Sequence, residues 1–371
     1  MLYDVIVVGG GPSGCAASRR SAELGLSTLM VDGKIEIGSP LRDYEILSRN
    51  GLERMGVGVQ KHWIDRSLRE IRIFVDEANA SIILDDMEFY SVEMDKFEKH
   101  LAALSSEAGA DIQIRTEAIS PVLDSGSITG VKLRTGQTVR DEKCRAVIFA
   151  GGLDSTFMRN MPELGVSRGE RVAKSFQYRV VGNFENRKSI DIYPGGDMRS
   201  LYAVIPKEDS IANIIALGMD DDFDPVQSIS AFINNTLKIS RWGSLQEVSA
   251  EINRTGYPEK LGLPGLLVAG DSTGINADCW AMGIENAYVS GMLAAETLNQ
   301  MLVSGTFDLI TEYERKIREL SISTNKKEFI DMIARLDSKT LRNKLRSGSS
   351  FHFRGKGNFS DILASLLSAI S

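Results

Sequence analysis

Apolar residues along this chain gather into three short continuous runs, separated by segments whose period is two or close to 3.6. The first run, residues 5–8, is β-branched and ends at Gly9, which predicts a strand buried on both faces of a parallel sheet. Ala16, Ala17 and Ala22 then predict a helix that stops at Gly25, followed by a strand over 27–31 that ends at Asp32. A second helix is predicted over 95–108, with Phe97, Leu101, Ala102 and Leu104 on one face, leading through Gly109 into a strand over 111–115. Residues 131–134, Gly136 and Val139 predict a short hairpin, and residues 146–150 form the second buried run, closed by Gly151 and Gly152. From about 170 to 258 the pattern alternates, predicting strands over 175–181, 189–193, 201–206 and 211–217. The third run, 265–269, leads into Gly270-Asp271 and a helix over about 283–302. Residues 308–371 read as helical and charged, with a basic stretch over 339–356.

Composition narrows the picture. The chain has 371 residues, 43% hydrophobic and 25% charged, a balance that supports two or three domains with ample core. Its net charge of −7 argues against nucleic acid as a main partner, because no basic excess exists to neutralise phosphates. Cys15, Cys144 and Cys279 lie far apart, and His62, His100 and His352 do not pair at ligand spacing, so neither a disulfide framework nor a metal site is expected. No signal peptide and no apolar stretch of membrane-spanning length is visible, and the expected location is cytoplasmic. Phe359, Ile362, Leu363, Leu366, Leu367 and Ile370 recur at helical spacing after the basic stretch. Packing on its own protein is the favoured use of that face, with peripheral contact on an anionic membrane as the alternative.

The sharpest chemical signal is Gly9-x-Gly11-x-x-Gly14 between a buried strand and a helix, with an acid closing the next strand. Gly9 permits a tight turn, Gly11 lets backbone approach a pyrophosphate, and Gly14 lets helix and strand pack closely. Pro12 and Ser13 complete the loop, whose amides and positive helix end favour phosphate. Asp32 stands where an acid hydrogen-bonds the adenosine ribose. A later strand ending in Gly270-Asp271 suits the ribityl chain of a flavin, and no second glycine fingerprint exists for a separate nicotinamide nucleotide. FAD is therefore the expected cofactor.

These segments resemble the archaeal geranylgeranyl reductases, flavoproteins of the glutathione-reductase-like class with a hydroxylase-type substrate domain. The resemblance runs through residues 3–14, 25–32, 36–42, 95–111, Phe176-Gln177-Tyr178-Arg179, 266–271, 283–292 and 336–341. It implies a Rossmann FAD domain (1–60, 95–165 and 259–303), an inserted antiparallel-sheet substrate domain (61–94 and 166–258) and a helical C-terminal region (304–371). It also implies hydride transfer from flavin N5 to an isoprenoid C=C of an archaeal lipid or polyprenyl compound, or another apolar small molecule. Ferredoxin or NAD(P)H would be the external electron donor. The implied cofactor contacts are Gly9, Gly11, Pro12, Ser13, Gly14, Asp32, Arg42, Gly270, Asp271, Gly283 and Ile284.

The chain also departs from that pattern. Asp43 stands where the family has a cysteine, Met94 where it has an arginine, and Gly151-Gly152 where it has Asp-Gly. Residues 277–283 read Ala-Asp-Cys-Trp-Ala-Met-Gly, keeping only the last glycine of a glycine-rich loop. Asp43 and Cys279 are candidate proton sources. Tyr178, Leu201, Ala203, Ile205 and Trp280 are the candidate substrate lining, although an aromatic strand motif of the family survives here only as Pro206. Two alternatives stay open: a flavin monooxygenase or dehydrogenase on another small molecule, and a non-catalytic nucleotide-binding relative.

Overall fold

The structure is a computed structural model. It describes residues 2–39, 46–75, 78–152, 156–165, 171–185, 187–195, 200–218, 222–253, 258–275, 283–322 and 349–354. In chain order, β1 (Tyr3–Val8), α1 (Pro12–Glu23) and β2 (Thr28–Val31) are followed by β3 (Ile46–Ser48), α2 (Arg49–Met55), β4 (Ile64–Leu68), β5 (Glu70–Val75), β6 (Ala78–Leu84) and β7 (Phe89–Val92). Next come α3 (Met94–Glu107), β8 (Asp111–Gln113), β9 (Thr116–Asp124), β10 (Ser127–Thr135), β11 (Thr138–Phe149) and α4 (Thr156–Arg159). The central strands are β12 (Arg171–Val181), β13 (Ile190–Pro194), β14 (Ser200–Pro206) and β15 (Ile211–Gly218), then α5 (Pro225–Ala231) and β16 (Gly243–Asn253). The last described elements are β17 (Gly262–Leu263), β18 (Leu266–Val268), α6 (Gly283–Ser304), α7 (Ile310–Ile322) and β19 (Ser349–Phe353).

Two compact units emerge. Described residues within 1–40, 94–170 and 255–325 form the first. Its sheet runs β17-β18-β11-β1-β2-β8, and the β1–β2, β1–β11, β11–β18 and β2–β8 pairs are all parallel. Val5, Ile6, Val7, Val147, Ile148 and Phe149 are almost wholly buried, the result of covering both faces of a parallel sheet. The helix α6 crosses α1 at Gly291, where an added Cβ would lie 2.1 Å from the Ser13 carbonyl oxygen. Only a residue without a side chain permits that approach. The predicted hairpin and the second buried run are one element: β11 leaves β10 through Gly136 (φ +60°) and continues into the parallel sheet beside β1.

Described residues within 41–93, 171–254 and 326–371 form the second unit. Its sheet runs β16-β12-β15-β14-β13-β5-β6-β19, and a small sheet β3-β7-β4 accompanies it. One face of the large sheet packs Phe176, Tyr178, Val204, Ile214 and Ala216 against Ile229, Phe232 and Ile233 of α5 and the turn after it. Asp224 caps α5, accepting from the amides of Val226 and Gln227. The other face packs Ile71, Ile73, Ile192, Ile205 and Ile215 with Leu68, Met87 and Phe89.

Three boundaries differ from those expected of the sequence. Residues 46–60 belong to the second unit, because β3 pairs antiparallel with β7 (Leu47 opposite Tyr90). The helix α7 belongs to the first, anchored by buried Tyr313, whose hydroxyl donates to the Val268 carbonyl at 2.6 Å. Within the stretch expected to be helical, residues 349–353 instead form β19, parallel to β6, with Phe351 and Phe353 packed on the apolar cluster of the sheet. The period of two in Ser349–Phe353 is the physical reason: it places both phenylalanines on one face of an edge strand. The apolar repeat at 359–371 lies outside the described residues.

Candidate active site

The glycine loop follows β1 at the carboxyl end of the parallel sheet, where ligands of open α/β sheets bind. Gly9 has φ +107°, and a Cβ there would sit 2.4 Å from the Ala150 carbonyl oxygen. At Gly14 a Cβ would lie 1.7 Å from the Gly9 carbonyl oxygen, so the first turn of α1 presses directly on the strand end. Gly11 is different in kind. A Cβ there meets nothing within 4 Å among the described residues, and its φ of −79° suits any residue. Packing within the chain therefore does not require glycine at 11, and the open space lies beside the N-terminus of α1. Pro12 occupies the first turn, where its missing N–H leaves no intrahelical bond unmade. The Ser13 hydroxyl is buried and makes no hydrogen bond to any described residue.

Asp32, at the end of β2, is 7% exposed. Its Oδ2 accepts from the Gly10 amide at 2.6 Å and its Oδ1 from the Lys34 amide at 2.8 Å. Both bonds fix the carboxylate beside the loop while leaving lone pairs for further donors. Gly270 brings β18 to the same place: at φ +70°, its Cβ would lie 2.8 Å from the Ser13 Cβ. The Gly270 amide donates to Ser290 Oγ at 2.8 Å, and that hydroxyl donates to the Ala287 carbonyl of α6 at 2.7 Å. Three segments distant in sequence (9–14, 270 and 287–291) thus meet around one point. Asp271 is exposed, and Gly283 and Ile284 open α6, half-buried. Arg42, Asp43, Cys279 and Trp280 lie outside the described residues.

This arrangement fits the ADP half of a dinucleotide: open space at one glycine, a buried hydroxyl, a helix N-terminus and a fixed acid. The FAD dependent oxidoreductase family matches residues 4–155. A digeranylgeranylglycerophospholipid reductase of Thermoplasma acidophilum is 31% identical over 332 residues, covering 85% of this chain and 83% of the relative. Its counterpart in Thermoplasma volcanium is 29% identical, covering 91% and 89%. The chain belongs to the digeranylgeranylglycerophospholipid reductase family. A geranylgeranyl bacteriochlorophyll reductase-like protein of Thermoplasma acidophilum superposes with a TM-score of 0.85 at 26% identity, covering 98% of this chain and 96% of that one. A flavin-dependent brominase, at 14% identity and a TM-score of 0.70, shares the fold. The chain is an FAD-dependent oxidoreductase, and FAD is its cofactor.

In this reductase-family member the candidate substrate lining divides between the two faces of the large sheet. Ala203 lies opposite Ile215, and Leu201 and Ala203 are partly buried on the apolar cluster that also holds Ile205. Ile205 is 1% exposed and serves as plain core. Tyr178 lies apart from the others. It lies opposite Ile214 on the reverse face, against α5, with its ring edge-on to Phe176 at 5.1 Å. Strand alternation explains this: Phe176 and Tyr178 share one face, and Gln177 and Arg179 the other. Gln177, 3% exposed and opposite Ile215, is the residue of that motif on the same face as Ala203. The period of two in β12 carried the signal, but only the register with β15 says which face is which.

A buried ionic network stands in the same unit. Lys207, 2% exposed, contacts Asp65 Oδ2 at 2.7 Å and Glu93 Oε1 at 3.2 Å and donates to the Val92 carbonyl at 2.8 Å. Arg179 Nη1 pairs with Glu93 Oε2 at 3.0 Å. Burial works to raise the Glu93 carboxyl, but Lys207 and Arg179 outweigh it and hold it below the ordinary carboxylate range. Cys15 and Cys144 are buried thiols whose ionisation burial pushes up, to about 12 at Cys144, so both act as packing groups. Among the described residues no His, Cys, Asp and Glu group has metal-ligand geometry.

Proposed function

We propose that this protein reduces isoprenoid C=C bonds of archaeal lipid or polyprenyl substrates, and that the residues around Gly11 hold its FAD. The observation that carries the reading is the relative named for reduction of a digeranylgeranylglycerophospholipid, matched over most of both chains. Reduced FAD, when bound, supplies a hydride from N5 to one carbon of the double bond.

The chain's own part begins at the ADP end. Backbone at Gly11 approaches the pyrophosphate, the amides opening α1 donate to it, and the Ser13 hydroxyl gains a partner there. The Asp32 carboxylate, already fixed by two amides, accepts from the ribose hydroxyls. Gly270 and Asp271 hold the ribityl chain, with Gly283 and Ile284 at the ring end. A proton must reach the second alkene carbon, and Asp43 and Cys279 are the candidates for delivering it. Each saturation consumes two electrons, so an external donor, ferredoxin or NAD(P)H, must restore the reduced state. Cytoplasmic work on substrate drawn from a membrane surface is part of this reading; none of the described helices is long and apolar enough to cross a membrane.

The test is product mass. Chemically reduced holoenzyme, incubated without oxygen with a digeranylgeranylglycerophospholipid, is expected to add two hydrogens per double bond. A product that gains oxygen, formed only in air with NAD(P)H, would instead identify a monooxygenase.

A further inference from the structure

We propose that Arg49 and Arg69 form a binding site for the phosphate group of a lipid headgroup. The site is built on the small sheet β3-β7-β4. Glu88, just before β7, is 9% exposed and accepts from both arginines. Arg49 reaches it through Nε at 3.2 Å and through Nη2. Arg69 reaches it through Nε at 3.3 Å and Nη2 at 3.2 Å. Ser67 Oγ also donates to the carboxylate, as does the Tyr90 hydroxyl at 2.8 Å. Burial works to raise the Glu88 carboxyl, but the bonds from Ser67, Arg49, Tyr90 and Arg69 outweigh it and hold the group at about 2. The anchor therefore stays ionised through the physiological range.

Charge arithmetic gives the site its sign. Two guanidiniums share one carboxylate, leaving a surplus of one positive charge. Their side chains are 52% and 67% exposed; Arg49 also lies against Tyr90, its guanidinium carbon 6.0 Å from the ring centre, while the Arg69 guanidinium donates to no described residue besides Glu88. Ion pairs this exposed add little to folding, so stability does not explain a second arginine on a carboxylate that one already neutralises. What the arrangement does provide is two planar forks held by Glu88, with Arg69 keeping N–H groups that no described residue takes. That is the geometry guanidinium uses for phosphate.

The surroundings favour a headgroup as the source. Residues 46–62 carry Arg49, Arg54 and Lys61 against Glu53 alone, and all four are exposed; on the Arg69 and Glu88 side the chain carries Glu70 and the exposed Asp85 and Asp86. Val59, between Arg54 and Lys61 in sequence, is 44% exposed. Cations with an exposed aliphatic residue among them suit a headgroup layer better than a free ion in water. The lipid part of the inference rests on the phospholipid substrate proposed above; the phosphate part rests on the arginines.

The test uses the full-length holoenzyme and vesicles of phosphatidylglycerol mixed with phosphatidylcholine, read by co-sedimentation. Wild type is expected to bind. Arg49→Gln with Arg69→Gln is expected to bind about tenfold or more weakly, as for loss of two surface cations. Arg49→Lys with Arg69→Lys keeps charge without the fork, and is expected to fall below wild type. Lysine variants equal to wild type would reduce the surface to diffuse attraction and overturn the proposal. So would a glutamine variant that binds vesicles normally, whether or not it loses reduction by an acidic donor protein. Inorganic phosphate alone, binding as tightly as the vesicles, would identify a free-phosphate site and overturn the lipid assignment. Melting temperature and FAD content, matched among variants, exclude misfolding. Turnover of a short isoprenoid alcohol, which has no phosphate, is expected to survive in the glutamine variant. Vesicle binding without any alkene reduction by wild type would sink the proposed function while leaving this site standing, and reduction without vesicle binding would do the reverse.

Discussion

Gly14→Ala is expected to abolish recovery of yellow, FAD-loaded protein, while Gly11→Val is expected to keep the fold and lose most of the FAD. The two glycines belong to one loop but fail for different reasons. A Cβ at Gly14 would stand 1.7 Å from the Gly9 carbonyl oxygen, so the start of α1 would have to lift from β1. Overpacking against backbone costs on the order of 1–3 kcal/mol or more, a large share of a typical stability of about 5–15 kcal/mol. A Cβ at Gly11 meets nothing within 4 Å among the described residues. Any loss of FAD there comes from filling space meant for the cofactor. Apo-protein melting and FAD titration by flavin fluorescence separate the two effects. Gly11→Val should melt within a few degrees of wild-type apo-protein and bind FAD at least about tenfold more weakly, roughly 1.4 kcal/mol. Wild-type affinity in Gly11→Val would show that the cofactor lies elsewhere.

Lys207→Met is the other change expected to have a large effect. It removes a cation that is 2% exposed and pairs with both Asp65 and Glu93, while Arg179 still pairs with Glu93. Breaking a buried pair from one side costs about 3–5 kcal/mol, because the remaining charge stays desolvated. Chemical denaturation should show that loss, and Lys207→Met with Glu93→Gln should recover part of it. The pH dependence has a definite sign. Glu93 is held below its ordinary value of 4.5, so its contribution is complete above that value and is lost as pH falls through the lower folded-state value. Without Lys207 the folded-state value rises, and the acid-side contribution of Glu93 shrinks. A loss under about 1 kcal/mol would mean that the network does not hold the unit together.

How much of this was readable in the residues depends on how local the cause is. The β1-α1-β2 unit was legible because strand, glycine loop, helix and Asp32 lie within thirty-odd residues, and each is required by the next. The meeting of Ser13, Gly270 and Ser290 was only half legible. Gly270-Asp271 stood out as a motif, but Ser290 enters through a hydrogen bond that depends on how α6 crosses α1. Residues 46–92 gave little sign of β3 to β7, since short strands with mixed faces leave a weak periodic pattern. Tyr178 shows a different limit. Alternation in β12 separates its two faces, but only pairing with β15 and packing by α5 decide which one is which. In β19, two phenylalanines inside a charged segment carry the strand signal, and β6 supplies the edge that makes it a strand.

This flavoprotein is expected to pass reducing equivalents to an isoprenoid double bond. Anaerobic rapid mixing of the reduced holoenzyme with a digeranylgeranylglycerophospholipid tests it most directly, followed through the visible flavin band. The oxidised band is expected to return at a rate that rises with lipid, one flavin for each double bond saturated. A flavin that stays reduced in the presence of the lipid and reoxidises only when oxygen is admitted would contradict it.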